Sequence, residues 1–371
     1  MPWNLRHYAT LETTSDELLH LDVMRFIASV GIVLCHSAEF FLPREMRIAS
    51  HARTAGLALF VDVFFVISGF VIAHIYAERM YGWRDFVRFI QRRVGRLYPL
   101  HLLTLTAMAA LFFLVGQLRV ATEGDMRLVP QCLAVGALLA NSVIDCGGPV
   151  PNGVNWSISA EMVMYLAFPV LLVAMRRLGR WRHVLFPLLL GLVVWQNGGL
   201  SDWGGKVTFA RALPAFVLGV SLSFDWQGLA RFMVPGFAPA LAATGLVAGS
   251  LLLWPYWVLL PLGYATAALA ISADAAGRPS PVSRRLAPLG QLTYSAYMLH
   301  PIVILVIVNA LGDKLLRLDP LPLGLLTLAS YAMVGALILV SYKAFETPAR
   351  NAIDSVHLVR HLAGKRSRRD V

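Results

Sequence analysis

Residues 21–36 read LDVMRFIASVGIVLCH, an apolar run that carries Arg25 and His36 eleven residues apart. Eleven residues of α-helix turn through about 1100°, roughly 20° past three full turns, so both side chains fall on nearly one face. They are separated by ~16 Å of rise, about half the hydrocarbon core of a bilayer. Ionisable groups are expensive inside lipid, so a pair placed this way marks a functional site by default.

The rest of the chain has the same character. Hydrophobic residues make up 57% of it and charged residues 14%, with a mean hydropathy of +0.65. Soluble domains average about 25% charged residues, so the composition reads as an all-α polytopic membrane protein. About ten transmembrane helices are expected, at 21–43, 57–77, 97–116, 156–175, 183–197, 208–224, 237–253, 255–272, 292–311 and 323–343. Segment 131–145 would reverse the orientation of everything after it if it crossed, so it is expected to be a re-entrant or interfacial helix. The opening Met1–His20 is polar and has no apolar h-region, which argues against a cleavable signal peptide. The expected organisation is a cytoplasmic N-terminal segment at 1–20, a membrane domain at 21–350 and a basic cytoplasmic tail at 351–371.

Charge orients the bundle. With the N-terminus cytoplasmic, the inner loops hold Arg79, Arg84, Arg88, Arg92, Arg93, Arg96, Arg176, Arg177, Arg180, Arg182, Arg231, Arg278, Arg284 and Arg285. The tail adds Lys343, Arg350, Arg360, Lys365, Arg366, Arg368 and Arg369, whereas the outer loops hold only nine basic residues. This bias places both termini inside. It also accounts for the net charge of +11 without nucleic acid, because a basic inner surface faces anionic lipid and anionic cytosolic ligands. The 3 cysteines supply no metal-binding or disulfide framework. Cys35 is intramembrane, while Cys132 and Cys146 fall on the expected outer side, where an oxidising compartment would allow them to pair.

Five stretches hold the residues suited to chemistry. In the first span, Asp22, Arg25, Ser29 and His36 share one helical face. Asp22 can neutralise Arg25, and Glu39, one turn beyond His36, is placed to orient its ring. Histidine is the usual general base near neutral pH; a buried polar helix contact is the plainer alternative. In the second span, Ser68-Gly69 between aromatics permits close helix approach, with Ser68 a further hydrogen-bond donor to a ligand. Arg92-Arg93-Val94-Gly95-Arg96 stands at the cytoplasmic mouth of the third span. Arginine forks suit phosphate, although positive-inside anchoring explains part of the cluster. Trp156-Ser157-Ile158-Ser159-Ala160-Glu161 opens the fourth span. Glu161 is expected ~8 Å below the outer boundary and His36 ~10 Å below it, a matching depth that would let the two share one site. Tyr294-Ser295-Ala296-Tyr297-Met298-Leu299-His300-Pro301 begins the ninth span, where a structural role is expected for Tyr294 and His300, with a place in a substrate channel as the alternative.

Taken in order, Leu21-Asp22-x-x-Arg25 to His36, Phe64 to Phe70, Arg92-Arg93-x-x-Arg96-Leu97-Tyr98-Pro99, Trp156-Ser157-x-Ser159-x-Glu161, Tyr294-Ser295-x-Tyr297-x-x-His300 and Phe345-Glu346-Thr347-Pro348 resemble the membrane-bound acyltransferase family 3. The motifs cover roughly residues 18–350. The resemblance implies an integral inner-membrane enzyme that takes an acyl group, commonly acetyl, from cytoplasmic acyl-coenzyme A. It implies a hydroxyl acceptor on a carbohydrate such as a cell-surface polysaccharide or lipid-linked glycan, with macrolides as another acceptor class. Acyl-CoA would be a co-substrate, with no permanently bound cofactor and no metal. The family's arginine–histidine motif falls on Arg25 and His36, with Glu161 as their catalytic companion. Acyl-CoA would be held by Arg92, Arg93, Arg96 and Ser68, with Asp22, Glu39, Trp156, Tyr294 and His300 in support. Many relatives carry an extracytoplasmic esterase-like domain that is not expected here. A transporter is the main rival, since ten spans with Gly/Pro-interrupted helices also suit one, but such folds often show inverted repeats and none is visible.

Overall fold

The computed structural model describes residues 18–117, 126–199, 208–277 and 279–356. The segment 1–17, the tail 357–371 with its Lys365–Arg369 run, and the loop residues Arg119, Lys206 and Arg278 lie outside the described residues. Among the described residues the chain is helical, without a strand. Helices occupy all ten expected spans. They are α1 (Leu19–Cys35), α2 (Phe60–Tyr76), α3 (Trp83–Gln117), then, after the short α4 (Pro130–Ala137), α5 (Trp156–Leu178), α6 (Arg182–Gln196), α7 (Thr208–Phe224), α8 (Ala238–Leu251), α9 (Tyr256–Ala275), α10 (Thr293–Val303) and α11 (Pro320–Val340). A π-helical segment, Ile304–Leu315, extends α10, and another, Ser341–Glu346, links α11 to α12 (Thr347–Ser355). Among the described residues, six helical runs are long and apolar enough to cross a membrane by length and composition, and 209–224 and 238–251 are shorter apolar helices. The protein is an integral membrane protein.

α1 buries Leu21, Met24, Ala28 and Ile32, a spacing of three and four that faces one side of the helix into the bundle. Its first turn is held from another helix. Asp274, near the end of α9, accepts from the backbone N–H groups of His20 and Leu21 at 2.8 and 2.9 Å and meets His20 Nδ1 at 2.7 Å, satisfying donors that a helix start leaves open. The far end differs from the expected 21–43 span: α1 stops at Cys35. Ser37 Oγ donates to the Val33 carbonyl at 2.6 Å and Ser37 N–H to Leu34 at 3.2 Å. A serine that occupies a carbonyl four residues back competes with the helix ladder, and the chain turns through 3₁₀ segments into the helix Arg47–Thr54.

The centre of the bundle is the crossing of α2 and α7, the most extensive helix contact. A Cβ added at Gly69 would lie 2.1 Å from the Phe216 carbonyl oxygen, and one at Gly219 would lie 2.0 Å from that of Val66. The two backbones therefore touch through reciprocal glycines, as the small-residue reading of Ser68-Gly69 anticipated. Beside them Arg211 of α7 reaches both Asp62 oxygens, at 2.5–3.3 Å, and the Ala58 carbonyl at 2.9 Å.

α3 is 35 residues long, well beyond the ~20 needed to span, so the arginine cluster rides on helix rather than on a loop. Within 131–145 only α4 is helical, and its 8 residues rise ~12 Å, too little to cross. The turns after it are joined back by a Cys132–Cys146 disulfide. Part of the expected tail is ordered: Gln91 Nε2 of α3 donates to the carbonyls of Ile353 and Val356, both at 2.6 Å, and straps α12 along α3.

Candidate active site

A cavity of about 810 Å³, partly open to the surroundings, runs between α1, α2, α3, α5 and α10. Each helix contributes one stripe: Arg25; Val61, Phe64, Ser68 and Ile72 with their neighbours; Arg93, Arg96 and Leu97; Ser157, Ile158, Glu161 and Tyr165; Thr293, Tyr294 and Tyr297. Val61 and Ile72 are eleven residues apart on α2, so the lining extends ~16 Å along that helix.

Arginines mark one end. Arg93 Nη2 donates to Tyr76 at 3.0 Å, and its guanidinium lies against the rings of Tyr76, Phe89 and Tyr165 at 5.3–5.8 Å. Arg96 faces the same space with no hydrogen bond to protein among the described residues. Neither meets a carboxylate at ion-pair distance there. Arg25 completes the group and is bound to Asp22 at 3.4 Å, the pairing the sequence implied. Arg92 is exposed and does not line the cavity; Arg25 stands in the wall in its place.

Glu161 lies midway. Its Oε1 accepts from Ser68 Oγ at 2.6 Å and from Tyr165 at 2.5 Å. The matching depth of Glu161 and His36 does not bring the two into contact: among the described residues, the hydrogen-bond partners of Glu161 are a serine and a tyrosine. Similar depth in two helices fixes one coordinate only, and α1 also ends sooner than expected. Glu39 is likewise not against His36; it pairs with His51 at 2.8 Å, because the turn after α1 swings it toward the helix Arg47–Thr54.

The far end carries the histidines. Ser157 Oγ donates to Tyr297 at 2.8 Å, and Tyr297 donates to the Val154 carbonyl at 3.0 Å. Behind Tyr297, with ring centroids 6.1 Å apart, stands His300, fully buried. His300 Nε2 meets His36 Nδ1 at 2.9 Å. His36 is exposed and is not itself a lining residue; it stands one side chain beyond the cavity wall. Arg25 and His36 are therefore at opposite ends of the path, as their helical rise requires. Trp156 is not in the wall either. Its ring lies under Arg211 at 5.4 Å and against Phe65, joining the Asp62–Arg211 pair to the start of α5. Tyr294 lines the cavity and donates to the Leu97 carbonyl at 2.5 Å.

Sequence reasoning missed Tyr165, Tyr297 and Tyr76. The i, i+4 spacing from Glu161 was a usable signal for Tyr165. Tyr297 and Tyr76 reach the site through contacts between distant helices, which no local spacing reports.

A family model described as "Acyltransferase domain" matches residues 18–341. Acyltransferase MdmB of Streptomyces mycarofaciens is 32% identical over 152 residues, which are 40% of this chain and 37% of that protein. Protein 2 in picA locus of Rhizobium radiobacter is 36% identical over 115 residues, 31% of this chain and 56% of that protein. The matched stretches thus span between about a third and just over half of these relatives. No solved structure matches.

Proposed function

The chain belongs to acyltransferase family 3, and from that premise we propose that it moves an acyl group, acetyl first, from cytoplasmic acyl-coenzyme A to a hydroxyl of a carbohydrate acceptor. The observation that carries this reading is Arg93 and Arg96, turned into an intramembrane cavity with no carboxylate at ion-pair distance among the described residues. A buried cation without an anion is costly, and an anionic ligand removes that cost. Arginine forks match phosphate oxygens, so the nucleotide phosphates of acyl-CoA belong at this end. The uncharged pantetheine arm then follows the lining of α2. Ser68, Glu161 and Tyr165 offer polar contacts along it, and the thioester is directed toward Ser157 and Tyr297.

Beyond that wall, His36 takes the proton of the acceptor hydroxyl as its oxygen attacks the thioester carbonyl. The carbon–sulfur bond breaks, the acyl ester forms, and the proton passes from His36 to the leaving sulfur, releasing coenzyme A as its thiol. The basic bias of the inner loops supports a cytoplasmic side for the cluster and both termini, and the membrane we propose is a bacterial inner membrane. His36, at the opposite end, meets an acceptor from the outer side.

The test uses purified protein in lipid nanodiscs with acetyl-CoA and envelope glycan, read as coenzyme A thiol released and acetyl ester formed. His36→Ala is expected to lower the rate by about 10²–10⁴-fold while leaving acetyl-CoA binding unchanged. A variant within about twofold of the parent rate would remove the base from the account.

A further inference from the structure

We propose that His300 is a positioning residue that sets the tautomer of His36, presenting its Nε2 as the free base. His300 lies in the last turn of α10, fully buried. Its Nδ1 is 2.9 Å from the Ala296 carbonyl, and a carbonyl only accepts, so Nδ1 carries the hydrogen. Among the described residues no carboxylate touches the ring; its neighbours include that carbonyl, the backbone and ring of Tyr297 and the second imidazole. A charged ring there would be desolvated without a counterion, so His300 is neutral and its Nε2 is an acceptor. The 2.9 Å contact between His300 Nε2 and His36 Nδ1 therefore requires His36 to donate from Nδ1. In the neutral ring this leaves Nε2 with its lone pair.

The geometry suits such a bond. The two ring planes are inclined by only 17° and their centroids are 5.1 Å apart, close to the N···N distance plus the two ring radii. The hydrogen bond thus lies in the plane of both rings, where it is strongest. When His36 gains a proton at Nε2, its Nδ1–H becomes charge-assisted and binds the same acceptor more tightly. The relay is anchored in backbone. His300 is bonded one turn back within α10, so His36 takes its tautomer from a rigid helix and not from a mobile side chain. The role in proton transfer rests on the acyl-transfer reading; the tautomer does not.

The closing experiment reads the tautomer directly, by nitrogen NMR of histidine-labelled protein in nanodiscs, with His36 assigned by difference against His36→Ala. The parent protein is expected to show His36 protonated at Nδ1 and bare at Nε2. His300→Gln, whose amide oxygen reaches the place of Nε2, is expected to keep that state and most of the rate of acetyl transfer from acetyl-CoA. His300→Leu is expected to lose it, with kcat down at least about tenfold and KM for acetyl-CoA unchanged. A parent His36 protonated at Nε2 overturns the proposal whatever the variants do. So does a His300→Leu protein that keeps the Nδ1–H form. A parent in the Nδ1–H form that transfers no acyl group would leave the tautomer standing and sink the acyl-transfer reading instead.

Discussion

Arg211 and Arg96 are both arginines drawn into the interior of the bundle, and they differ in what they meet there. The side chain of Arg211 is 6% exposed and is locked onto Asp62, which is wholly buried. It also binds a carbonyl and covers Trp156. Arg96 has no carboxylate at ion-pair distance among the described residues and turns into a cavity beside Arg93 and Arg25, with Glu161 farther along the same wall. The first arrangement is complete as it stands: every charge has a partner, and the pair fixes α7 against α2 where the helices already touch through glycine. The second leaves Arg93 and Arg96 without a carboxylate at ion-pair distance among the described residues. A cation satisfied by protein holds the fold, and a cation left facing a void is placed for a ligand.

The largest effect that would break this distinction falls on the paired arginine. Arg211→Met leaves Asp62 charged and without its main partner, so stability should fall by about 3–5 kcal/mol, read as a lower midpoint of thermal unfolding in detergent. An unchanged midpoint would mean that the pair is not structural. Arg96→Ala should behave in the reverse way. It removes charge-assisted contacts of about 1.5–3 kcal/mol, weakening acetyl-CoA binding by about 10–100-fold, while the unfolding midpoint stays level. A loss of stability with unaltered affinity would merge the two arginines into one structural class. The smallest effect is expected at Glu161→Gln. The amide keeps an acceptor for Ser68 and Tyr165 and removes a negative charge from the cavity. Acetyl-CoA affinity should hold or improve by about two- to threefold, and the improvement should shrink at high salt. A marked loss of affinity would give the carboxylate a direct binding role.

Much of the fold was legible because apolar length and helical period are local properties. The ten helices, six runs of which are long and apolar enough to cross among the described residues, and the Asp22–Arg25 pair followed from them, as did the Ser68-Gly69 approach, now seen against Phe216. The end of α1 was not legible, since it depends on which carbonyl the Ser37 hydroxyl selects. Nor was the separation of Arg92 from Arg93 and Arg96: adjacent residues differ by about 100° around a helix, and only the neighbours decide which one faces a cavity. The sharing of one site by Glu161 and His36 failed for a related reason. Depth along a helix follows from residue count, whereas the rotation of one helix relative to another is set by packing. His300 was read as structural on its proline neighbour. Its place against His36 depends on how α10 packs on α1, far apart in the chain.

One path links an anion-holding end of the bundle to a histidine end. The direct measurement is an electron cryomicroscopy map of the protein in nanodiscs with a non-hydrolysable acetyl-CoA analogue. The claim requires phosphate density within hydrogen-bond distance of Arg93 and Arg96, with the thioester mimic at the Val61, Ser157 and Tyr297 end, facing His36. Phosphates bound elsewhere, with the cavity empty or filled by lipid, would contradict it.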